Sequence, residues 1–509
     1  MAGCAPTLRT MRTLDDASMA GIVGAASAFI SIAGSWIPSL WGDEAASIMS
    51  ARRDWSSLIA LLGTVDAVHG LYYALLHLWM DLVGASPFAV RLPSGLAVGA
   101  ASAGLYLLVR RRADRGVAVV AAVLFAVLPR VTYLATEARS MALATAAAVW
   151  LTVLLLRLLD RPARRAWWIG YGSGLALGAS LFLYLSLLIP VHVVVVAHHA
   201  LRHATSESRW THADGLRIRS FALAWAGAAL LSAPIVLVAL RQREQIAFRG
   251  HRDDVTTATL LVMPWFMLVS VAVVAWSLVL LAVIAAWRHR RDPVWRGRRD
   301  LLVLAIAWIV VPAAALLAVT ALFAPVFTPR YLAICAPGAA IAMAVGVSAL
   351  RRRWLRVGAV AATLGLAIPA YVDQRTPYAK NGGTDWQAVS ATVDELAEPG
   401  DGIVFDEQVR PSRRPRLAMY TYPEGFRGLV DLTIERPHHE TSGLWDVTVP
   451  LATVTERLES VDRVVAISRS RQGTDADLAV LEREGFDLVE RVTLESDTVS
   501  VYERRETRG

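Results

Sequence analysis

Apolar runs about 20 residues long recur along this chain, each long enough to cross a ~30 Å hydrocarbon core. They fall near 19–40, 89–109, 116–134, 138–158, 167–184, 185–201, 219–240, 262–287, 301–322, 331–350 and 356–372. Such runs restrict the chain to a bundle of membrane helices, because only helices and closed barrels satisfy their own backbone in lipid. The expected fold is a polytopic α-helical membrane protein of about eleven spans. Charged residues make up only 18% of the 509 residues and gather in short clusters between the runs. The net charge of +8 is therefore read as a topology signal, since a nucleic-acid footprint would concentrate on one soluble domain. The first run exceeds the ~7–15 residue core of a cleaved signal and is read as a span.

Arginine clusters set the orientation. With residues 1–18 as a cytoplasmic tail, the inner loops include Arg110–Arg112, Arg161–Arg165, Arg288–Arg299 and Arg351–Arg353. That arrangement puts about two dozen arginines inside against about ten outside, the positive-inside asymmetry. Lys380 is the only lysine, which reads as a compositional bias with little bearing on mechanism. Cys4 and Cys335 offer neither a disulfide framework nor a thiolate metal site.

Two segments then lie outside the membrane. Residues 41–88 form a long first loop with two amphipathic stretches, Glu44–Leu62 and His69–Val83. In the second, Leu71, Leu75, Leu78 and Leu82 repeat at helical spacing, so the stretch lies along the membrane surface or packs on the bundle. Residues 373–509 form an extracytoplasmic α/β domain, large enough for its own core. Its expected strands are Gly402–Phe405 and Val464–Ile467, with helices at Trp386–Leu396 and Ala476–Glu484 and a hairpin over Leu488–Tyr502. The membrane part is 19–372.

Chemistry centres on Trp41-Gly42-Asp43-Glu44, directly after the first span. Adjacent carboxylates there can supply a general base, a divalent-metal site or both. The plain alternative is a pair of solvated acids capping a helix start, with Asp43 as N-cap. Further along come Asp66-Ala67-Val68-His69-Gly70-Leu71-Tyr72-Tyr73, then Arg91, Arg130, Glu137-Ala138-Arg139 and Thr328-Pro329-Arg330-Tyr331. Arginines held near a membrane span are costly unless paired or functional. Arg91 and Arg130 read as interface-seeking or acid-paired. His192, His198 and His199 read as core or interfacial histidines, and Trp167, Trp168 and Trp265 as interfacial belt residues.

This ordered set resembles the GT-C glycosyltransferases of the family 39-like group, which includes protein O-mannosyltransferases and lipid A aminoarabinose transferases. It is also similar to actinobacterial mannosyltransferase-like membrane proteins. The resemblance covers about 19–372 and implies transfer of a sugar, mannose first, from a polyprenyl-phosphate carrier at the outer face of the cell membrane. The acceptor would be a glycan, glycolipid or secreted protein of the cell envelope. By that resemblance Asp43 is the catalytic base with Glu44 beside it, and Arg139, Arg330 and Tyr331 meet the carrier phosphate. His69, Tyr72, Arg91 and Glu137 would contact donor or acceptor. The chain lacks the two prolines that often follow the family's loop histidine, having Gly70-Leu71 instead. An arabinofuranose donor is the alternative within this reading. A lipid or glycan transporter, or a non-catalytic envelope scaffold, would be a different class; matched broken helices in two halves, which a transporter often shows, are not apparent.

Overall fold

A computed structural model describes residues 14–204, 212–242, 255–323, 326–469 and 476–505. Every apolar run read above carries a helix: α1 Asp16–Ile32, α5 Pro87–Arg110, α6 Arg115–Val127 with α7 Pro129–Ala135, α8 Met141–Asp160, α9 Arg165–Leu181, α10 Leu188–Ala204, α11 His212–Arg241, α13 Val269–Arg288, α14 Arg296–Leu322, α15 Ala336–Ala349 and α16 Arg353–Asp373. Among the described residues, eight helices are long and apolar enough to span, or nine if the bent α6–α7 pair is one span. The shorter α1 and α9 have 17 residues each.

Two runs differ from straight spans for identifiable reasons. The 116–134 run bends by 62° between α6 and α7. Pro129 has no N–H for the ladder and holds Leu128 at φ −55°, ψ 128°, outside the helical region. The 262–287 run begins its helix only at Val269, after a turn in which Met267 has φ 55°.

The first loop folds into α2 Gly42–Ala51, α3 Trp55–Thr64 and α4 Gly70–Val83. The Glu44–Leu62 stretch is thus two helices, because Asp54 accepts from Ser57 N at 2.8 Å and caps a new start. On α4, Tyr72, Tyr73, Leu76 and Met80 are buried, while the Leu75, Leu78 and Leu82 stripe faces outward, Leu82 being 77% exposed. That outward apolar stripe suits a helix lying at a lipid surface.

The C-terminal part is an α/β domain. Its mixed sheet has strand order β2-β1-β5-β7-β6, built from β1 Gly402–Phe405, β2 Val430–Asp431, β5 Arg463–Arg469, β6 Phe486–Thr493 and β7 Asp497–Arg504. Strands β1 and β5 pair in parallel, Gly402 opposite Val464, and β6–β7 is the antiparallel terminal hairpin. Helix α17, Trp386–Leu396, covers one face, and Ala476–Arg483 is the second expected helix.

The first loop and the C-terminal domain share one core. Leu40, Ile48, Leu58 and Tyr73 cluster with Trp386, Val389, Phe405 and Leu417. Arg53 donates to Thr441 O and Gly443 O, and Leu40 N donates to the Tyr422 hydroxyl at 2.8 Å. A loop that sequence analysis assigned to the membrane part is therefore fastened to the domain above it. The contact is close at Gly42, where a Cβ would lie 2.0 Å from Ser412 O. Gly42→Ala is expected to push the Pro411–Arg413 turn away from the loop at a cost of about 1–3 kcal/mol, read as a lowered unfolding midpoint.

Candidate active site

Helix α2 starts where the chain leaves α1. Trp41 occupies the N-cap position without a side-chain cap, so neither acid serves as a solvated cap. The helical geometry sends the two adjacent carboxylates in different directions.

Glu44 points inward and is fully buried. It meets Arg91 in a fork, Nε to Oε1 at 2.7 Å and Nη2 to Oε2 at 2.6 Å, and Oε1 also accepts from Ala138 N at 2.8 Å. Arg91, equally buried, donates further to Ser35 O, Pro38 O and Ser39 O. The pair thus ties α2, α5, the end of α1 and the α7–α8 turn into one frame. Its groups are satisfied by protein, as a buried ion pair requires.

Asp43 is turned the other way, its side chain 24% exposed, and Oδ2 accepts from Arg330 Nη1 at 2.9 Å. Arg139 reaches the same place from the α7–α8 turn, donating from Nη1 to Asp43 O at 3.1 Å and Ser47 Oγ at 3.2 Å. Its Nη2 approaches His69 Nε2 at 3.2 Å. Asp43 therefore sits among Arg139, Arg330 and His69, three residues from separate parts of the sequence. With Nε2 accepting from Arg139, the hydrogen-bond network assigns the His69 proton to Nδ1, an atom without a partner among the described residues. The packed surroundings first, and then the Arg139 guanidinium, push the His69 pKa down to about 4.

That shift has a testable sign. A histidine held below its ordinary value contributes stability in its neutral form above about pH 6.5, lost as pH falls toward 4. The stability gap between wild type and His69→Gln is expected to narrow from pH 7 to pH 4.5, measured by denaturant unfolding at each pH.

Tyr331 belongs to the turn Pro329–Cys335 and stacks on Tyr184, ring centroids 4.3 Å apart. Trp265 Nε1 donates to Leu332 O at 2.9 Å, which pins that turn. Trp265 is only 1% exposed, so it is a buried brace rather than the interfacial belt residue expected from the sequence. Arg130 braces the neighbouring backbone, donating to Met263 O. Tyr72 is buried in the first-loop core beside Tyr73, whose hydroxyl donates to Asp66 at 2.9 Å. His192 is a core histidine between the Tyr171 hydroxyl and Thr152.

Lys380 is the site residue that sequence reasoning set aside. It is fully buried, donates to Thr136 Oγ1 at 2.9 Å and stands 3.7 Å from the Tyr133 ring centroid. Burial lowers its pKa, with Glu137 opposing; burial raises the Glu137 carboxyl, with Lys380 opposing. The available signal was its singularity: in a chain whose other basic residues are arginines, one lysine survives at a position that a guanidinium would overfill. Lys380→Arg is expected to destabilise the fold by about 1–3 kcal/mol, whereas an exposed arginine-to-lysine exchange would leave the melting curve unchanged.

The donor set does not fit a divalent metal at Asp43–Glu44. Both Glu44 oxygens accept from Arg91 and point away from Asp43, whose Oδ2 faces Arg330. Among the described residues no group of three or more His, Cys, Asp or Glu side chains is placed to hold an ion.

The family model for dolichyl-phosphate-mannose-protein mannosyltransferase matches residues 70–226, which hold Tyr72, Arg91, Glu137 and Arg139. The crystal structure of ArnT from Cupriavidus metallidurans bound to undecaprenyl phosphate superposes with a TM-score of 0.57 at 13% identity, over 95% of this chain and 97% of that one. Its apo state gives 0.58 at 14% identity with the same coverage. The chain has the fold of these ArnT structures. No curated protein matches this chain in sequence. The fold agreement extends through the C-terminal domain, since nearly the whole of both chains is superposed.

Proposed function

We propose that this protein transfers a sugar, mannose first, from a polyprenyl-phosphate carrier to a cell-envelope acceptor at the outer membrane face, with Asp43 as general base. The observation that carries the reading is Asp43 between two arginines at the lipid-proximal end of the first loop, its carboxylate accepting from Arg330 and its backbone carbonyl from Arg139. The mannosyltransferase family match over 70–226 and the carrier phosphate bound by ArnT support the donor class.

In this mechanism the carrier phosphate approaches Arg330 and Arg139 and replaces Asp43 as the partner of Arg330. The freed carboxylate takes the proton of the acceptor hydroxyl while its oxygen attacks the anomeric carbon. The bond from that carbon to the phosphate oxygen breaks, and the leaving phosphate gains a negative charge. Guanidinium groups already in place stabilise that growing charge without reorganising. Tyr331, fixed by Tyr184, lies beside Arg330 at the leaving-group side. His69 offers its Nδ1 proton toward a substrate oxygen, and Glu137 with Lys380 forms the charged wall behind. Glu44 and Arg91 position α2 and take no part in proton transfer. The positive-inside arrangement supports the outer location of the site.

Donor identity is tested with purified protein in lipid, a crude envelope acceptor fraction and two labelled carriers, polyprenyl-phosphate mannose and polyprenyl-phosphate arabinofuranose. Label appearing in the acceptor only from the mannose carrier is expected. Label passing only from the arabinose carrier would replace the sugar while keeping the reaction.

A further inference from the structure

At the opposite end of the bundle from Asp43 lies a second site that the transfer reaction does not use. Helix α8 starts beside Arg139 and ends at Asp160, about 30 Å away at 1.5 Å per residue. There, a cavity of about 940 Å³ opens between Arg111, Arg112, Asp160, Arg202, Arg296 and Asp300. A second space of about 860 Å³ shares Arg202, Arg296 and Asp300 with it. This one adds Arg299 and runs along α14 past Val303, Ile306 and Val310 between apolar side chains of α10 and α13. From Arg299 to Val311 the groove covers about 18 Å, more than half of a ~30 Å hydrocarbon core.

The charges at its mouth are unbalanced. Five arginines face two aspartates across the two spaces. Asp160 is shared by Arg112 at 2.5 Å and Arg111 at 3.9 Å, and Asp300 by Arg202 and by His198 at 3.0 Å. Arg296 and Arg299 have no carboxylate partner among the described residues. A cationic mouth over an apolar trough that follows the membrane helices is the shape of an anionic amphiphile: phosphate above, hydrocarbon below. Basic pockets between membrane helices recognise anionic lipid head groups in this way.

We propose that this groove holds one anionic membrane phospholipid, its phosphodiester on Arg296 and Arg299 and one acyl chain along α14 toward Val310. The lipid would fill a wedge between α10, α13 and α14, and so brace the bundle from the end opposite the Asp43 site.

The test uses the full chain purified in detergent and transferred to nanodiscs of phosphatidylcholine with a minor share of phosphatidylglycerol, bound lipid being counted by native mass spectrometry after release. Wild type is expected to retain one phosphatidylglycerol and to exclude phosphatidylcholine. The double variant Arg296→Gln with Arg299→Gln is expected to lose retention at least tenfold; neither side chain has an ion-pair partner among the described residues, so folding is spared. Val310→Trp fills the groove from its outward side, leaves the charges in place and is expected to lose retention equally. Equal retention of both lipids by wild type would overturn the proposal. So would undiminished retention in either variant, or preferential capture of added undecaprenyl phosphate over phosphatidylglycerol.

Discussion

Asp43→Asn is expected to reduce sugar transfer by about 10²–10⁴-fold, the contribution of a well-placed general base, while leaving the fold and carrier binding intact. The substitution keeps the shape of the side chain and removes its ability to accept a proton. It also removes the charge that holds Arg330 at 2.9 Å in the resting state. Carrier affinity is therefore expected to stay equal or to rise, because Arg330 no longer has a carboxylate partner to exchange for the phosphate. The two quantities separate when turnover is measured at saturating donor and donor affinity is titrated independently. A matched fall in affinity and turnover would instead make Asp43 a binding residue. Arg330→Ala shifts the balance the other way, weakening donor affinity and turnover together, since the phosphate loses a partner in both the ground state and the transition state.

Arg91→Ala is expected to be the most destabilising single change in the site region, by about 3–5 kcal/mol. Removing the guanidinium strands the Glu44 carboxylate where no water reaches it, and frees three carbonyls that Arg91 now holds. The effect should appear as a lowered denaturation midpoint in detergent, with activity lost in proportion to unfolded protein. A double variant, Glu44→Met with Arg91→Met, should recover much of that stability, because apolar side chains of similar volume fill the space without an uncompensated charge. Were Arg91→Ala to keep wild-type stability and lose only turnover, the positioning role would fail and Arg91 would belong with the substrate contacts.

Much of this molecule was legible in the sequence, and the boundary of legibility has a physical shape. Membrane helices announce themselves by uninterrupted apolar length, so each run yielded a helix. The buried parallel strands at Gly402–Phe405 and Val464–Ile467 were equally readable, as short apolar runs bounded by turns. The bend at Pro129 was less readable: a proline inside an apolar run is compatible with either a kink or a continuous span. The site was legible as a set of polar residues on one side of the topology, but their partners were not. Asp43 and Glu44 are neighbours in sequence, yet one faces Arg330 from near the end of the membrane part and the other faces Arg91 from α5. Such pairings are fixed by tertiary packing, which hydropathy does not encode. Lys380 shows the opposite failure. Its signal was present in the composition, but composition alone gives no depth, and its burial beside Thr136 and Tyr133 emerges only with the fold.

The central claim is that the sugar arrives on a lipid phosphate at the Asp43 end of the bundle. Sealed proteoliposomes carrying the protein in a known orientation test it when labelled sugar is offered either on polyprenyl phosphate in the bilayer or as a nucleotide sugar in the aqueous phase. Transfer to an acceptor added on the side of the C-terminal domain, from the polyprenyl donor alone and abolished by Asp43→Asn, is the predicted result. Transfer from the nucleotide sugar, or from the polyprenyl donor at an undiminished rate in Asp43→Asn, would contradict it.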